Sequence, residues 1–470
     1  MRRIAIIGAG SIVFCKTLML DIMATKGLDD TEFVLMAPST RNTSQVAEFM
    51  DKVIRENGLR THIQVTTDRR QALKGANYVI STFQVGGVSA FKQDYEIPMK
   101  FGVDQCIGDT LSPGGVFRAL RSIPVTLDMV RDMEELCPDA LLLNYVNPMA
   151  MICWALGETK VKFVGLCHGV QTTLDLISSY VGVPKKQIDY LCAGINHMGW
   201  FLKLERDGKD LYPILREKFE QAEYYVNEKV RGEVFRHFGY FMTESTGHLS
   251  EYIPWFRKNK KGLNLYCDEP SFGGESGAYY QWCANVAKKY QSKNILSEES
   301  IQLPSRSVEY GSYIIEAIER NKTFKFNGNV RNNGMISNLP SDCCVEGPIY
   351  ADSTGLNHTI VGELPIQCAA LNLTNINVQR LAVHAAKSGD TEAIVHACAL
   401  DPLTGAALTL KEIREMVAAM LKAEVQWMPQ FEGKTIRETP IISISKDIKR
   451  ADVPIDPALA IFARFGELAD

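Results

Sequence analysis

The sequence lacks the features that mark several classes of protein. No run of five or more like charges occurs in it, and its formal net charge is only -4 over 470 residues, so nothing indicates a surface for nucleic acid or for an anionic membrane. No apolar stretch reaches the roughly 18 residues that a membrane-spanning helix requires. Neither a CxxC nor an HExxH motif is present, which leaves a structural zinc site and a zincin-type protease without support. We therefore expect a globular protein with neither nucleic acid nor a membrane as its partner.

The regular cysteine spacing of a disulfide framework is also missing. Twelve cysteines are scattered along the chain, which favours the reducing cytoplasm over an oxidising compartment. A chain of this length is too long for one compact core, so at least two domains are expected. The sequence thus predicts a cytoplasmic protein of several domains.

Strand and helix patterns alternate over the first 200 residues. The segment "RIAIIGAGS" is an apolar strand that leads into a glycine turn, and "EFVLMA", "ANYVISTFQ", "ALLLNYVNP" and "KFVGLCHG" repeat the strand pattern with helical segments between them. This alternation predicts an α/β fold with a parallel, doubly wound sheet of the Rossmann type, as in lactate and malate dehydrogenases.

The character of the sequence changes after Trp200. An Asp-Gly turn follows "FLKLER", strand patterning with Asn-Gly turns follows residue 324, and the tail from about 365 to 425 is mostly helical. We expect a Rossmann-like dinucleotide-binding domain over 1–198 and an α+β domain over 199–470 that serves substrate binding and oligomerisation. Because no Gly/Ser-rich linker separates them, the two halves are predicted to interlock.

The glycine turn is the first candidate binding element. Gly8 and Gly10 follow an apolar strand, where they would let the backbone approach a pyrophosphate at a helix N-terminus. Val13 stands in place of the third glycine of the usual fingerprint, and a tight strand-to-helix turn alone is the alternative. The position of the turn inside a βαβ pattern favours nucleotide binding.

The expected ribose ligand is absent from the end of the second strand. An acidic residue there would bind the adenosine ribose hydroxyls, but "LMAPSTRN" has Ala37. Ser39, Thr40 and Arg41 could instead hold a 2′-phosphate, which would favour NADP over NAD. The alternative is weakened binding, with this segment serving only as a loop.

Two soft ligands follow predicted strands. Cys167 comes after "KFVGL" and His197 after "CAGIN", and the carboxyl ends of strands are where open α/β sheets bind ligands. Thiolate and imidazole suit borderline divalent metals. A lone buried cysteine or histidine is more often structural, so the two residues together, rather than either alone, indicate a metal site.

Several longer stretches carry a resemblance to a known family. The stretches are "GAGS" (8–11), "GDTLSPGGVFRALRSIP" (108–124), "NYVNPMAM" (144–151), "GLCHGVQ" (165–171), "CAGINHMGW" (192–200), "GYFMTESTGHLSEYIPWF" (239–256) and "NVRNNGMISNLP" (329–340). In this order, they resemble glycoside hydrolase family 4, whose members need a nicotinamide cofactor and a divalent metal, and they look most like its α-galactosidase branch. Two residues depart from that branch: Gly169 replaces a serine, and Ala37 replaces an acidic residue.

The resemblance implies an unusual route to glycoside cleavage. Most glycosidases use two carboxylates, and the NAD-dependent family is an exception. The cofactor would take a hydride from carbon 3 of the sugar, and the resulting ketone would acidify the proton on carbon 2. A base would remove that proton, the aglycone would leave from carbon 1, and water and the stored hydride would then restore the sugar. A divalent cation would stabilise the negative charge on oxygen.

The resemblance also implies roles for particular residues. Cys167 and His197 match the family's metal ligands, for which Mn²⁺ is the usual ion. Asn147 matches a substrate-binding asparagine, although it could merely form a turn before proline. Asp109 matches an acidic position near the catalytic base, and a loop carboxylate that caps a backbone amide is its alternative.

The base and the acid are less well defined by the resemblance. His248 or Tyr252 is the candidate base, and His168 is the candidate acid that protonates the leaving oxygen. Either histidine could instead orient a neighbour. Ser11 and Gln84 are placed along the cofactor path by the resemblance alone.

These observations leave more than one function open. The leading hypothesis is an α-galactosidase with NAD, or NADP, and Mn²⁺; an α-galacturonidase or α-glucosidase is the alternative within the family. A net dehydrogenase of the lactate/malate type shares the fold, but needs no metal. A nucleotide-binding regulator without catalysis is the third hypothesis. The resemblance further implies a homo-oligomer, either a dimer or a tetramer.

Overall fold

The first strand of the chain lies in the middle of a parallel half-sheet. The computed structural model describes residues 1–292, 296, 300–454 and 456–466. The parallel strands are β1 (Arg3–Ile7), β2 (Glu32–Met36), β3 (His62–Thr66), β4 (Tyr78–Ser81), β5 (Leu141–Asn144) and β6 (Lys162–Gly165). They pair in the order β3-β2-β1-β4-β5-β6, which is the doubly wound order of dinucleotide-binding domains. The predicted Rossmann-like half is confirmed.

The second half of the chain continues the same sheet with antiparallel strands. These strands are β7 (Asp189–Ile195), β8 (Met198–Arg206), β9 (Lys209–Asp210), β10 (Phe324–Arg331), β11 (Cys344–Asp352) and β12 (Gly355–His358). The order continues β6-β10-β11-β7-β8-β9, and β12 pairs with β11. The junctions are narrow, because Asn329 pairs with Gly165 and Glu346 pairs with Gly194 as single residue pairs.

Helices cover both parts of the sheet. In the N-terminal half they are α1 (Ile12–Met23), α2 (Thr40–Glu56), α3 (Arg69–Leu73), α4 (Gly87–Phe101), α5 (Ser112–Leu136), α6 (Met149–Leu156) and α7 (Gly169–Val181). Further along they are α8 (Tyr212–Phe219), α9 (Ala222–Tyr225), α10 (Lys229–Phe238), α11 (Thr246–Tyr252), α12 (Lys260–Tyr266), α13 (Ala278–Ser292), α14 (Tyr310–Arg320), α15 (Ile366–Ser388), α16 (Thr391–Leu400), α17 (Pro402–Ala407), α18 (Leu410–Glu424) and α19 (Pro457–Phe465).

The two halves share one hydrophobic core. Helices α15 and α18 from the end of the chain pack on α5 and α4, respectively, and buried residues from both halves form one continuous cluster. This confirms the predicted interlocking of an α+β half with the Rossmann-like half. The boundary between 198 and 199, which falls at the start of β8, stays a prediction.

Two features of the strands bear on the sequence patterns. Asp207 and Gly208 form the predicted turn between β8 and β9, both with positive φ of 49° and 74°. Strand β3 was not predicted from the sequence. It lies at the edge of the sheet and contains no fully buried residue, so it lacks the apolar run that marked the other parallel strands.

The chain divides into two compact units, Met1–Ile436 and Arg437–Asp470. Helix α19 is the described helix of the second unit. In the parts of the chain that the structure describes, no helix is both long and apolar enough to cross a bilayer. All twelve cysteines are free thiols.

A charged triad is buried where α18 meets the N-terminal helices. The guanidinium of Arg121 on α5 donates to Asp94 on α4 and to Glu424 on α18 at 2.7 Å, and none of the three side chains is exposed. The Arg121 Nε also donates to the Val85 carbonyl at 3.1 Å, in the loop after β4. The Arg121 guanidinium therefore binds two buried carboxyl groups and the loop after β4.

Replacing Arg121 by leucine should lower the free energy of unfolding by about 3–5 kcal/mol, because it leaves two buried carboxyl groups without their partner. Urea denaturation followed by tryptophan fluorescence measures this loss. Arg131→Leu is the matched control, since Arg131 on the same helix makes an exposed ion pair with Asp128, and exposed pairs contribute about 0–1 kcal/mol. Equal losses in the two variants would contradict the prediction.

Candidate active site

The turn after β1 requires glycine at its first position. Gly8 has a φ of +95°, and a Cβ added there would lie 2.6 Å from the backbone nitrogen of Phe83. Helix α1 begins immediately after Ser11, so its unpaired N–H groups lie beside the turn. Gly8, Gly10, Ser11 and Gln84 all line one cleft of about 900 Å³. The turn thus has the space and the donors that a pyrophosphate needs.

The end of β2 reaches the same cleft. Ala37, Ser39 and Arg41 line it, and the Ser39 side chain caps α2 by accepting from the Arg41 backbone nitrogen at 3.4 Å. No acidic residue stands in the first turn of α2. This edge of the cleft therefore presents a helix N-terminus and a guanidinium rather than a carboxylate.

A possible metal site forms where three separate segments meet. The Cys167 Sγ lies 3.5 Å from the His197 Nε2, and the Glu244 Oε1 lies 4.0 Å from the same nitrogen. The three ligand atoms lie within 4.8 Å of one another, and this is the one such group of His, Cys, Asp or Glu residues in the described ranges. A thiol, an imidazole and a carboxylate form a donor set that suits a borderline divalent cation.

His197 follows a strand, as the pattern predicted, but that strand belongs to the antiparallel part of the sheet. Cys167 lies two residues beyond the parallel strand β6, but His197 occupies the turn of the antiparallel β7–β8 hairpin with a φ of 62°. The strand that precedes His197 is therefore not part of the parallel half-sheet. The two side chains still meet, because the Cys167 Sγ lies 3.5 Å from the His197 Nε2.

The contacts of His197 orient its ring. The Nδ1 lies 3.1 Å from the Tyr252 hydroxyl and 3.2 Å from the Thr110 Oγ1, which turns Nε2 toward Cys167 and Glu244. Burial lowers the pKa of His197, so the ring is neutral near pH 7 and its Nε2 lone pair is available to a cation.

The thiol of Cys167 is held in its neutral form when no cation is present. Burial raises the pKa of Cys167 well above its usual value, and the nearby Glu346 and Glu244 carboxyl groups raise it further. A bound divalent cation would offset both effects and displace the proton. Cation binding at this site is therefore coupled to proton release.

Asp109 is tied to two other residues of the cleft. The Asn147 Nδ2 donates to Asp109 Oδ2 at 3.2 Å, and the Arg118 Nη1 lies 3.9 Å from the same oxygen. Burial would raise the pKa of Asp109, but Arg118 and the neighbouring histidines outweigh it and lower that pKa. Asp109 is therefore a carboxylate at neutral pH, and it holds Asn147 and Arg118 at the wall of the cleft.

The three remaining catalytic candidates differ in their access to the cleft. His168 and His248 line it, whereas Tyr252 is 2% exposed and lies behind His197. The His248 Nδ1 is 3.4 Å from Glu244 Oε2. The His168 Nδ1 is 3.2 Å from Glu309 Oε1, and this hydrogen bond raises the pKa of His168. Each histidine is thus paired with a carboxylate at the cleft.

A buried carboxylate joins the Asp109 loop to helix α11. Glu251 accepts from the backbone nitrogens of Cys106, Ile107 and Gly108, the last at 3.0 Å. Burial raises the pKa of Glu251 to about 7, against the opposing effect of Arg257 and of these backbone bonds. The helix that carries His248 and Tyr252 is therefore tied directly to the loop that carries Asp109.

Replacing Glu251 by glutamine should lower kcat by about 10- to 100-fold, because the amide group cannot accept three backbone bonds and the Asp109 loop shifts relative to α11. Steady-state kinetics on the glycoside that the family resemblance implies measures the change. Glu275→Gln is the control, since that exposed carboxylate accepts one backbone bond, from Ser271 at 2.8 Å. An unchanged kcat in the Glu251 variant would show that the loop does not depend on this carboxylate.

Gly169 lies against the possible metal site. A Cβ added to Gly169 would lie 2.7 Å from Glu244 Oε1 and 3.6 Å from the Cys167 sulfur. A serine here, as the family resemblance would have it, would therefore crowd the carboxylate of the possible metal site. A serine at position 169 would therefore fit only if the Glu244 side chain moved.

The structure brings nearly all predicted site residues to one place. Gly8, Gly10, Ser11, Ser39, Arg41, Gln84, Asp109, Asn147, Cys167, His168, His197 and His248 line the cleft. The sequence reading overlooked Glu244, Glu251 and Glu309. Glu244 lies in the "MTES" stretch, just before the helix that carries His248, so its nearness to a candidate base in the sequence could have indicated it. Glu309 lies far along the chain and had no local signal.

A dinucleotide-type turn and a thiol–imidazole–carboxylate group that share one cleft define an enzyme that combines a nucleotide cofactor with a bound cation. Comparison with known proteins agrees with this class. A family model described as "Family 4 glycosyl hydrolase" matches residues 3–183, and one described as "Family 4 glycosyl hydrolase C-terminal domain" matches residues 192–404. The chain belongs to family 4 of the glycosyl hydrolases and is a glycoside hydrolase, as its motifs predicted.

Individual relatives cover nearly the whole chain. An "Alpha-galactosidase" of Rhizobium meliloti (strain 1021) is 41% identical over 438 residues, covering 91% of this chain and 89% of that protein. An "Alpha-galactosidase" of Bacillus subtilis (strain 168) is 39% identical over 442 residues, covering 92% of this chain and 100% of that protein. The solved structure of the 6-phospho-beta-glucosidase from Thermotoga maritima with manganese, NAD+ and glucose-6-phosphate has a TM-score of 0.74 at 20% identity and covers 90% of this chain and 99% of that chain. This last likeness supports the fold.

Proposed function

We propose that the protein is an α-galactosidase that uses a recycled nicotinamide cofactor and a divalent cation, with Mn²⁺ as the preferred ion. The observation that carries the proposal is that the glycine turn at Gly8 and the Cys167, His197 and Glu244 group line the same cleft. The two α-galactosidases at 41% and 39% identity support the choice of substrate.

The residues present fit both groups. Gly8, Gly10, Ser11 and Gln84 would hold the dinucleotide, and Cys167, His197 and Glu244 would hold the cation. The bound dinucleotide would accept a hydride from carbon 3 of the sugar and return it later, and the cation would stabilise negative charge on the sugar oxygens. The other cleft residues would position the sugar and move protons.

We assign the base to His248 rather than to Tyr252. His248 reaches the cleft, and its Nδ1 is oriented by Glu244. Tyr252 is buried behind His197, where its hydroxyl positions that ring. His248 would remove the proton from carbon 2, and His168, which also lines the cleft, would donate a proton to the leaving oxygen.

The charge of the cleft favours a neutral sugar over an acidic one. A galacturonide would need an uncompensated cation aimed at its carboxylate. Arg118, at the cleft wall, has its charge balanced by Asp109 at 3.9 Å, although its Nη1 makes no hydrogen bond. Arg331 donates to the Gly157 carbonyl at 3.1 Å and does not line the cleft. The Asp109–Arg118 pair, together with Asn147, instead suits hydroxyl groups.

The cofactor proposal covers both NAD and NADP. Ala37 offers no carboxylate to a ribose hydroxyl. Ser39 and Arg41, at the N-terminus of α2, would bind a 2′-phosphate by donating hydrogen bonds to it. Replacing Arg41 by alanine should weaken NADP binding more than NAD binding, as measured by fluorescence titration. Equal weakening of NAD and NADP binding would show that Arg41 does not discriminate between the two cofactors.

We also propose that the protein is cytoplasmic and forms a homo-oligomer, either a dimer or a tetramer. Its twelve free thiols suit a reducing compartment. Large aliphatic side chains such as Ile360 and Ile366, at 87% and 85% exposure, are candidates for burial between subunits. Light scattering of the purified protein tests the oligomeric state.

The direct test is a panel of nitrophenyl α-galactoside, α-glucoside and α-galacturonide, with NAD or NADP and with or without Mn²⁺ and a thiol reductant. We expect nitrophenol release from the galactoside only when dinucleotide and cation are both present, without accumulation of reduced cofactor. Accumulation of reduced cofactor in proportion to product would point instead to a net dehydrogenase. Release without either group would overturn the proposal.

A further inference from the structure

The candidate acid His168 has a carboxylate partner from a distant segment. Glu309 is the residue immediately before α14, and its Oε1 lies 3.2 Å from the His168 Nδ1. The Glu309 side chain is 13% exposed, whereas the His168 side chain is 48% exposed. The carboxylate therefore lies inside the wall of the cleft, and the imidazole lies at its surface.

Glu309 is itself held by a chain of hydrogen bonds from α1. The buried Asp21 accepts from the Ser307 backbone nitrogen at 2.9 Å and from the Ser307 hydroxyl. The Ser307 Oγ in turn accepts from the Glu309 backbone nitrogen at 3.2 Å. The segment that presents Glu309 is thus fixed to the helix that follows the dinucleotide turn.

The start of α14 is fixed from a second side. The Gly311 backbone nitrogen donates to the Tyr145 hydroxyl at 3.2 Å, and Tyr145 lines the cleft after β5. Glu309 is therefore anchored on both sides, and its carboxylate has a defined position relative to the cleft.

This geometry selects one nitrogen of His168 for the substrate. Because Nδ1 donates to Glu309, Nε2 is the nitrogen that can face a bound molecule. A histidine whose ring is oriented by a carboxylate is the arrangement that fixes both the rotamer and the tautomer in catalytic pairs.

We propose that Glu309 is a positioning residue that orients His168 for proton donation to the leaving oxygen of the glycoside. The inference rests on the proposed role of His168 and adds to it. Glu309 does not line the cleft, so its contribution acts through the imidazole.

Kinetics on two leaving groups test this role. An alkyl α-galactoside has a poor leaving group that needs a proton, whereas a nitrophenyl α-galactoside releases an acidic phenol that needs little help. Glu309→Gln should lower kcat on the alkyl substrate by about 10- to 100-fold, and His168→Gln should lower it by about 100-fold or more. Both variants should change kcat on the nitrophenyl substrate, and KM on either, by much less.

A double-mutant cycle separates positioning from general damage. If Glu309 acts through His168, the Glu309→Gln change should have no further effect in a His168→Gln background. Glu309→Asp should restore part of the activity. Glu316→Gln is the matched control, because Glu316, on α14, is a largely buried carboxylate that pairs with Arg306 rather than with a cleft residue. This variant should not alter the ratio of the two substrates.

The possible outcomes are distinct. Additive losses in the double variant, or equal losses on both substrates, would overturn the role of Glu309. A stronger dependence of kcat on the leaving group in His168→Gln but not in Glu309→Gln would overturn the inference and leave the proposed acid in place. Unchanged kinetics in His168→Gln would instead remove His168 as the acid and, with it, the basis of the inference.

Discussion

Replacing Cys167 by serine should abolish turnover and weaken Mn²⁺ binding by at least about 100-fold. A serine hydroxyl does not ionise at neutral pH, so the substitution removes the one anionic sulfur ligand and leaves His197 and Glu244 to hold the cation alone. Calorimetric titration of metal-stripped protein with Mn²⁺ measures the affinity without relying on catalysis.

The chain provides a matched control for this substitution. Cys283 also lines the cleft and is likewise partly buried, but it belongs to no group of potential metal ligands in the described part of the chain. Cys283→Ser should therefore bind Mn²⁺ as tightly as the parent protein. Tight binding by the Cys167 variant would show that the cation, if required, is held elsewhere.

Replacing His248 by glutamine should lower kcat by about 100- to 10,000-fold, which is the range that loss of a general base produces. Glutamine can still hydrogen bond to Glu244 but cannot take a proton from carbon 2 of the sugar. Tyr252→Phe removes only the hydroxyl that contacts His197 Nδ1, so its cost should be about 10- to 100-fold and should include weaker Mn²⁺ binding.

A substrate with deuterium at carbon 2 tests whether His248 is the base that removes the carbon 2 proton. In His248→Gln, removal of the carbon 2 proton should become rate-limiting, and the isotope effect on kcat should be at least as large as in the parent protein. A larger loss of kcat in Tyr252→Phe than in His248→Gln, with Mn²⁺ affinity unchanged, would transfer the role of base to the tyrosine.

Local signals were sufficient to predict the cofactor side of the cleft. The apolar strand, the glycine turn and the following helix lie within the first 23 residues, and Gly8 is required by its φ and by the approach of Phe83. Short-range geometry of this kind can be read from adjacent residues. The resemblance then supplied the residues that no local pattern could connect, such as Asn147 and Asp109.

Long-range contacts explain what could not be predicted. Glu251 and Glu309 contact residues that lie far from them in the sequence, and Glu244 meets Cys167 and His197 from a third segment, so these contacts depend on tertiary packing. His197 was expected at the end of a strand, but the sequence could not show that this strand is antiparallel. The sequence also could not show that Gly169 lies against the Glu244 carboxylate.

The place of β10 and β11 in the sheet has a consequence for how the enzyme comes into being. These strands insert between β6 and β7, whose ends carry Cys167 and His197, although they are synthesised much later than either ligand. Cys167 and His197 are therefore synthesised before the two strands that lie between β6 and β7 in the folded sheet. A nascent chain, or a product truncated before Cys344, would carry the thiol and the imidazole without the strands that lie between β6 and β7, so we expect ion capture to await the synthesis of β11.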